Sequence, residues 1–97
     1  MSHLSVVARI QAQPEARETV LQELRNLIEP TRNQDEGCIT YEQFQDNEEP
    51  TVFYFIENWE SERHLDRHLT SGPMKKFQKA TEGLIATIAI YRMGRIS

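Results

Sequence analysis

The 97-residue sequence predicts an α+β domain of order β-α-β-β-α-β, a split βαβ arrangement in which a four-stranded antiparallel sheet carries its helices on one face. Three observations predict it. A strand-period alternation opens the chain, a long apolar set at helical spacing follows, and two strand-like runs flank a short polar turn before helical spacing returns.

From His3 to Ala12, the residues Leu4, Val6, Ala8, Ile10 and Ala12 alternate with Ser5, Val7, Arg9 and Gln11, the pattern of a half-buried strand that Pro14 ends. Ala16, Val20, Leu21, Leu24, Leu27 and Ile28 mark an amphipathic helix of about four turns. Pro14 and Glu15 suit its first turn, and Pro30 is expected to break or kink its end. Gly37 opens a second strand, Cys38 to Gln45; Asp46 to Pro50 form a polar turn, and Thr51 to Trp59 complete an antiparallel hairpin. Ser61 is placed to N-cap a second helix with Leu65 and Leu69 on its inner face, which Gly72 and Pro73 interrupt before Met74 to Thr81 resumes. After Gly83 comes a last strand, Ile85 to Met93.

The third strand carries more information than its position. Val52-Phe53-Tyr54-Phe55-Ile56 is apolar or aromatic on both faces, and in the last strand Ile88 and Ile90 alternate with Thr87, Ala89 and Tyr91. A sheet with water on one side would alternate apolar and polar residues. A chain of 97 residues that is only 38% hydrophobic builds one domain with a thin core. Together these features predict a homodimer in which two sheets pack face to face.

Composition excludes several function classes. Eleven Lys and Arg against fifteen Asp and Glu leave a charge of −4 and no basic stripe, so nucleic-acid binding is not expected. The lone Cys38 permits no internal disulfide or thiolate metal cluster, which suits a reducing, cytoplasmic setting. No leader pattern is visible and no apolar run nears the ~20 residues of a membrane span, so no membrane association is expected. Neither dinucleotide-binding nor phosphate-loop glycine motifs occur, and no serine elbow is present.

Few residues remain for chemistry. Trp59 ends the third strand just before a helix start, where a pocket between sheet and helices would open; the alternative is a core plug or interface anchor. His64 and His68 lie one helical turn apart, with His68 flanking the buried stripe and His64 leaning towards solvent. H-x-x-x-H can bind a metal, but a third ligand is missing and no Glu lies between the two, so no metal site is expected. A pocket-edge imidazole suits proton transfer near neutral pH, or else it is a satisfied polar residue at the core rim. Cys38 reads as a small buried hydrophobe.

Three segments resemble a known family: Glu36-Gly37-Cys38-Ile39-Thr40-Tyr41-Glu42, then Phe55-Ile56-Glu57-Asn58-Trp59-Glu60-Ser61-Glu62, then His64-Leu65-Asp66-Arg67-His68-Leu69 with the short helix Met74-Lys75-Lys76-Phe77. They are similar to the antibiotic biosynthesis monooxygenase (ABM) domain, most of all to small bacterial quinol monooxygenases. The resemblance spans nearly the whole chain. It implies a dimeric ferredoxin-like α+β barrel, and oxidation of a quinol, phenol or other electron-rich aromatic by O₂ with no metal, flavin or haem cofactor. It also implies His68 as base or oxyanion donor and Trp59 stacking on the substrate ring, with Tyr41, Asn58, Phe55, Leu65 and Met74 as further substrate contacts. Asn58 neighbours Trp59, so strand geometry sends their side chains to opposite faces unless a bulge intervenes.

Departures from the family pattern narrow the expectation. Phe55 and Leu65 stand where anthrone-oxidising members carry Asn and Tyr, and Pro73 stands where quinol-type members carry a second His. His68 and Gln78 do not match the haem-degrading branch. An acid/base isomerase of a small carbonyl metabolite and a non-catalytic dimeric ligand-binding module are the other readings of the same residues.

Overall fold

The computed structural model describes residues 3–97. Strands β1 (Leu4–Ala12), β2 (Cys38–Gln45), β3 (Val52–Trp59) and β4 (Ile85–Gly94) form one sheet in the order β2-β3-β1-β4, antiparallel throughout. Helix α1 (Arg17–Gln34) crosses between β1 and β2, and α2 (Glu62–Leu69) and α3 (Gly72–Ala80) cross between β3 and β4. This is the expected split βαβ, ferredoxin-like topology.

The helices differ from expectation in three places. Pro14–Ala16 form a separate 3₁₀ turn, and α1 does not end at Pro30 but runs through it to Gln34. The missing Pro30 N–H forgoes one hydrogen bond near the helix end. The inward stripe Val20, Leu24, Leu27 and Thr31 is buried on both sides of the proline, and packing carries the helix one turn further. Asp35 then closes it, its N–H donating to the Thr31 carbonyl at 3.3 Å. Gly72 and Pro73 do not interrupt a single helix; they start α3, with Pro73 in its first turn and Ser71 Oγ accepting the Met74 N–H.

Strand alternation sorts the sheet faces. Val6, Ala8, Ile10 and Ala12 of β1 and Phe53, Phe55, Glu57 and Trp59 of β3 are buried beneath the helices. On the opposite face the register aligns Thr40, Asn58, Ser5 and Met93 in one row, Glu42, Ile56, Val7 and Tyr91 in the next, and Phe44, Tyr54, Arg9 and Ala89 in a third. Phe44, Ile56, Tyr91 and Met93 are exposed there. The two-sided apolar character of β3 is therefore real, and in a single chain its second face lies bare. On β4 the isoleucines Ile88 and Ile90 pair with Ile10 and Ala8, so they point to the helical side, yet both are exposed because the helices do not reach over this edge strand.

Gly37, between α1 and β2, has φ +83°, the left-handed region that glycine occupies without steric penalty. A Cβ built there would lie 2.2 Å from His64 Cγ, so the imidazole of α2 rests directly on this backbone. The Gly37 carbonyl also accepts the Glu60 N–H at 2.9 Å, tying the start of β2 to the entry of α2. Gly37→Ala is expected to destabilise the fold by about 1–3 kcal/mol through strain and displacement of His64, read as a lowered midpoint in chemical denaturation.

Candidate functional site

The site is built around His68. Ser61 caps α2, its hydroxyl accepting the His64 N–H, and the helical period then turns Leu65 and His68 inward together. The His68 ring is buried and held from three directions. Trp59 lies over it with centroids 4.9 Å apart and planes tilted by 33°. Tyr41 approaches edge-on at 5.7 Å. Asp35 Oδ2 stands 2.5 Å from Nδ1. A carboxylate oxygen accepts, so Nδ1 carries the hydrogen and neutral His68 keeps its lone pair at Nε2.

Glu57 is the second buried polar group. Its position on β3 shares the inward parity of Phe55 and Trp59, and Oε1 accepts the Trp59 indole N–H at 2.8 Å. Burial pushes the Glu57 carboxyl above the usual glutamate range, against the opposing pull of the indole hydrogen bond and of His68. Burial, helped by Glu57 and Asp35, likewise pushes the Cys38 thiol up to about 11, so Cys38 stays a protonated thiol at neutral pH. The Tyr41 phenol is shifted upwards too, chiefly by burial and then by Glu57. Among the described residues, its hydroxyl and that of Thr31 have no partner within ordinary hydrogen-bond geometry.

Between the sheet and α2–α3 lies a small cavity of about 40 Å³. Val6, Ala8, Phe55, Leu65 and Met74 contribute to its apolar walls, Ile88 and Ile90 form its outer side, and its only polar side chains are Glu57 and His68. Larger hollows of about 340 Å³ beside β2 and about 510 Å³ at the end of the sheet are open to solvent and contain neither Glu57 nor His68. The more enclosed cavity, though smaller, is therefore the place best suited to sheltered chemistry.

Of the residues singled out from the sequence, His68, Phe55, Leu65 and Met74 converge on this cavity. Trp59 does not line it: the indole is wholly buried behind His68, and so it positions the imidazole instead of offering a face to a ligand. Tyr41 is likewise packed against the His68 ring, outside the cavity lining. Asn58 points to the opposite sheet face, where it accepts from Ser5 Oγ at 2.6 Å and donates to Thr40 Oγ1 at 2.9 Å. No bulge in β3 reverses that alternation. His64 bonds Ser61 Oγ at 2.8 Å and does not turn towards His68's partners. Among the described residues no group of three or more His, Cys, Asp or Glu side chains is placed to hold a metal ion.

Two site residues escaped the sequence reading. Glu57 carried a signal, a carboxylate on the inward parity of an otherwise apolar strand face. Asp35 carried none, because only a helix that continues through Pro30 brings it to α2.

The model of the antibiotic biosynthesis monooxygenase family matches residues 3–80. The chain belongs to this family. Its relatives include the probable quinol monooxygenase YgiN of Escherichia coli, 32% identical over 90 residues that cover 82% of this chain and 86% of YgiN. An uncharacterized protein of Synechocystis is 28% identical over 92 residues; the match takes in 95% of this chain but spans only 62% of that longer relative. Among solved structures, PA3566 from Pseudomonas aeruginosa superposes with a TM-score of 0.94 at 31% identity, covering 100% of this chain and 97% of PA3566.

The raised Glu57 carboxyl has a consequence for stability. A group that holds its proton more tightly when folded favours the folded state below its ordinary value of 4.5, and that contribution is lost as pH rises towards the elevated folded value. Glu57→Gln removes the titration while keeping an acceptor for the indole. The variant is expected to gain melting temperature relative to the parent as pH rises from about 4.5 into the neutral range, checked by thermal denaturation of both across that range.

Proposed function

We propose that this protein is a monooxygenase that oxidises a quinol or similar electron-rich aromatic with O₂, without metal, flavin or haem. The observation that carries this reading is a single oriented imidazole in an apolar cavity, with Nδ1 tied to Asp35 and Nε2 left as the acceptor. An aromatic alcohol reacts with O₂ through its anion, so the first requirement is a base that removes the hydroxyl proton in a dry setting. His68 supplies the base, and Asp35 faces the imidazolium that forms, as an orienting carboxylate does in a catalytic triad. Family membership and a relative named as a probable quinol monooxygenase support the same reading.

The resting cavity holds about one water molecule, far below the ~300–1,000 Å³ of typical ligand sites. A ring-sized substrate therefore enters by moving side chains on its rim. Met74, flexible and nearly buried, and the exposed pair Ile88 and Ile90 are the groups that can yield. Metal-free protein is expected to consume oxygen with hydroquinone or 1,4-naphthoquinol, and His68→Ala to lower kcat by about 10²–10⁴-fold. Turnover that persists under strict anaerobiosis, or uptake unchanged in that variant, overturns the assignment.

The working unit in this reading is a homodimer in a reducing cytoplasm. The exposed Phe44, Ile56, Tyr91 and Met93 share one sheet face, which a second copy would cover sheet to sheet. Among the described residues no helix is long and apolar enough to cross a membrane. Sedimentation is expected to give a dimer, and Ile56→Asp, in the central row of that face, a monomer with lower thermal stability. A parent protein that sediments as a monomer refutes the sheet-to-sheet pairing.

A further inference from the structure

Glu57 is the one buried group on the cavity that the proposed base chemistry leaves unused. It shares the lining with His68, and Trp59 links the two, lying over the imidazole and donating its indole N–H to the carboxyl. The open surface of the cavity is hydrocarbon, and the two titratable residues of its lining both touch the same indole. Resting on the quinol-oxidation reading above, we propose that Glu57 is the general acid that works with His68, protonating the peroxide formed on the substrate ring and recovering a proton when the oxygen–oxygen bond breaks.

The step balances. His68 Nε2 takes a hydroxyl proton from the quinol, and the quinolate gives one electron to O₂. The resulting semiquinone and superoxide join through a new carbon–oxygen bond to form a peroxide anion. Glu57 protonates its terminal oxygen. The oxygen–oxygen bond then breaks together with the C–H bond at the same ring carbon, whose electron pair becomes the second bond of a carbonyl. The C–H proton passes to the Glu57 carboxylate, and the departing hydroxide takes the proton held on His68 and leaves as water. Quinol and O₂ become hydroxyquinone and water, the ring loses four electrons that O₂ gains, and both side chains end in the states in which they began.

The environments of the two groups fit opposite duties. A base needs an open lone pair, which Asp35 secures at Nε2 of His68. An acid needs its proton at neutral pH, and burial acts on Glu57 in that direction. The titratable groups facing Glu57 are His68 from α2 and Tyr41 and Cys38 from β2, while Asp35 and Arg32, at the end of α1, act on Cys38. From β1 the paired residue is the apolar Val6, and on β4 Arg92, next across from Val6, is engaged by Glu62 and Asp66. Among the described residues no Lys or Arg acts on Glu57, and the one opposing charge is that of His68, which draws against the effect of burial.

Glu57→Gln tests the role, since the amide keeps the shape and still accepts the indole N–H but cannot deliver a proton. With 1,4-naphthoquinol and O₂, the variant is expected to lose about 10²-fold or more in kcat with KM within about 2-fold, and to divert product from hydroxyquinone to the unhydroxylated quinone and hydrogen peroxide. Glu57→Asp is expected to recover part of the hydroxyquinone. Independently of turnover, the infrared carboxylic-acid C=O stretch of resting protein at neutral pH is expected to disappear in Glu57→Gln. Hydroxyquinone formed by Glu57→Gln at the parental rate, or no such stretch in the parent, overturns the proposal alone. No oxygen uptake by the parent protein overturns the quinol reading and this step with it.

Discussion

A wholly buried indole must find an acceptor for its N–H, and meeting that need organises the centre of this fold. Leaving the group unpaired would cost on the order of 1–3 kcal/mol. Trp59 is wholly buried at the end of β3, and its partner is Glu57, two residues back on the same face. A carboxyl is thereby drawn into an interior that would otherwise be apolar. Once Trp59 is fixed, its ring becomes the surface on which His68 lies, and Asp35 closes the arrangement from the far side. Packing and site chemistry here have one origin, so changes at Trp59 act on the imidazole and the carboxyl together.

The second constraint is the reach of α1. Its inward stripe continues past Pro30 through the buried Thr31, and this extra turn delivers Asp35 to α2, 33 residues later in the chain. A helix ending at Pro30 would leave the His68 Nδ1 without its acceptor. The turn after α1 is secured by the close contact of Gly37 with His64 and by the Gly37 carbonyl, which accepts from Glu60. The two histidines of α2 thus divide their work. His64 docks the helix on the turn, and His68 faces the cavity.

Much of the fold was legible in the sequence because β1 alternates with a period of two and turn residues bound the β2–β3 hairpin. The alternation of β1 and the placement of Asn58 away from Trp59 follow from that period, and the bounds of β2 follow from Gly37 and the polar turn Asp46 to Pro50. Legibility failed where tertiary packing outweighed a local rule. Pro30 reads as a break or a kink, yet the helix runs on through it with Thr31 buried on the same stripe as Val20, Leu24 and Leu27. Gly72-Pro73 reads as an interruption, although Pro is well suited to the first turn of a helix. The site was half legible: His68, Phe55, Leu65 and Met74 share the cavity as expected. Trp59 reads equally well as a substrate platform or a core plug, and only its complete burial assigns it to holding His68.

The edge strand β4 joins these themes. Both its faces are bare in one chain, with Ile88 and Ile90 exposed on the helical side and Tyr91 and Met93 on the other. A partner sheet in the proposed dimer would cover Tyr91 and Met93 and stiffen the strand, while leaving Ile88 and Ile90 beside the cavity. Pairing and access then use opposite faces of the same ten residues. A thin core follows from this division. Apolar side chains that a self-sufficient monomer would bury are set outwards on β3 and β4, where the proposed dimer would cover some and the others border the cavity, while the interior divides into a core under α1 and α3 and a smaller cluster around Trp59.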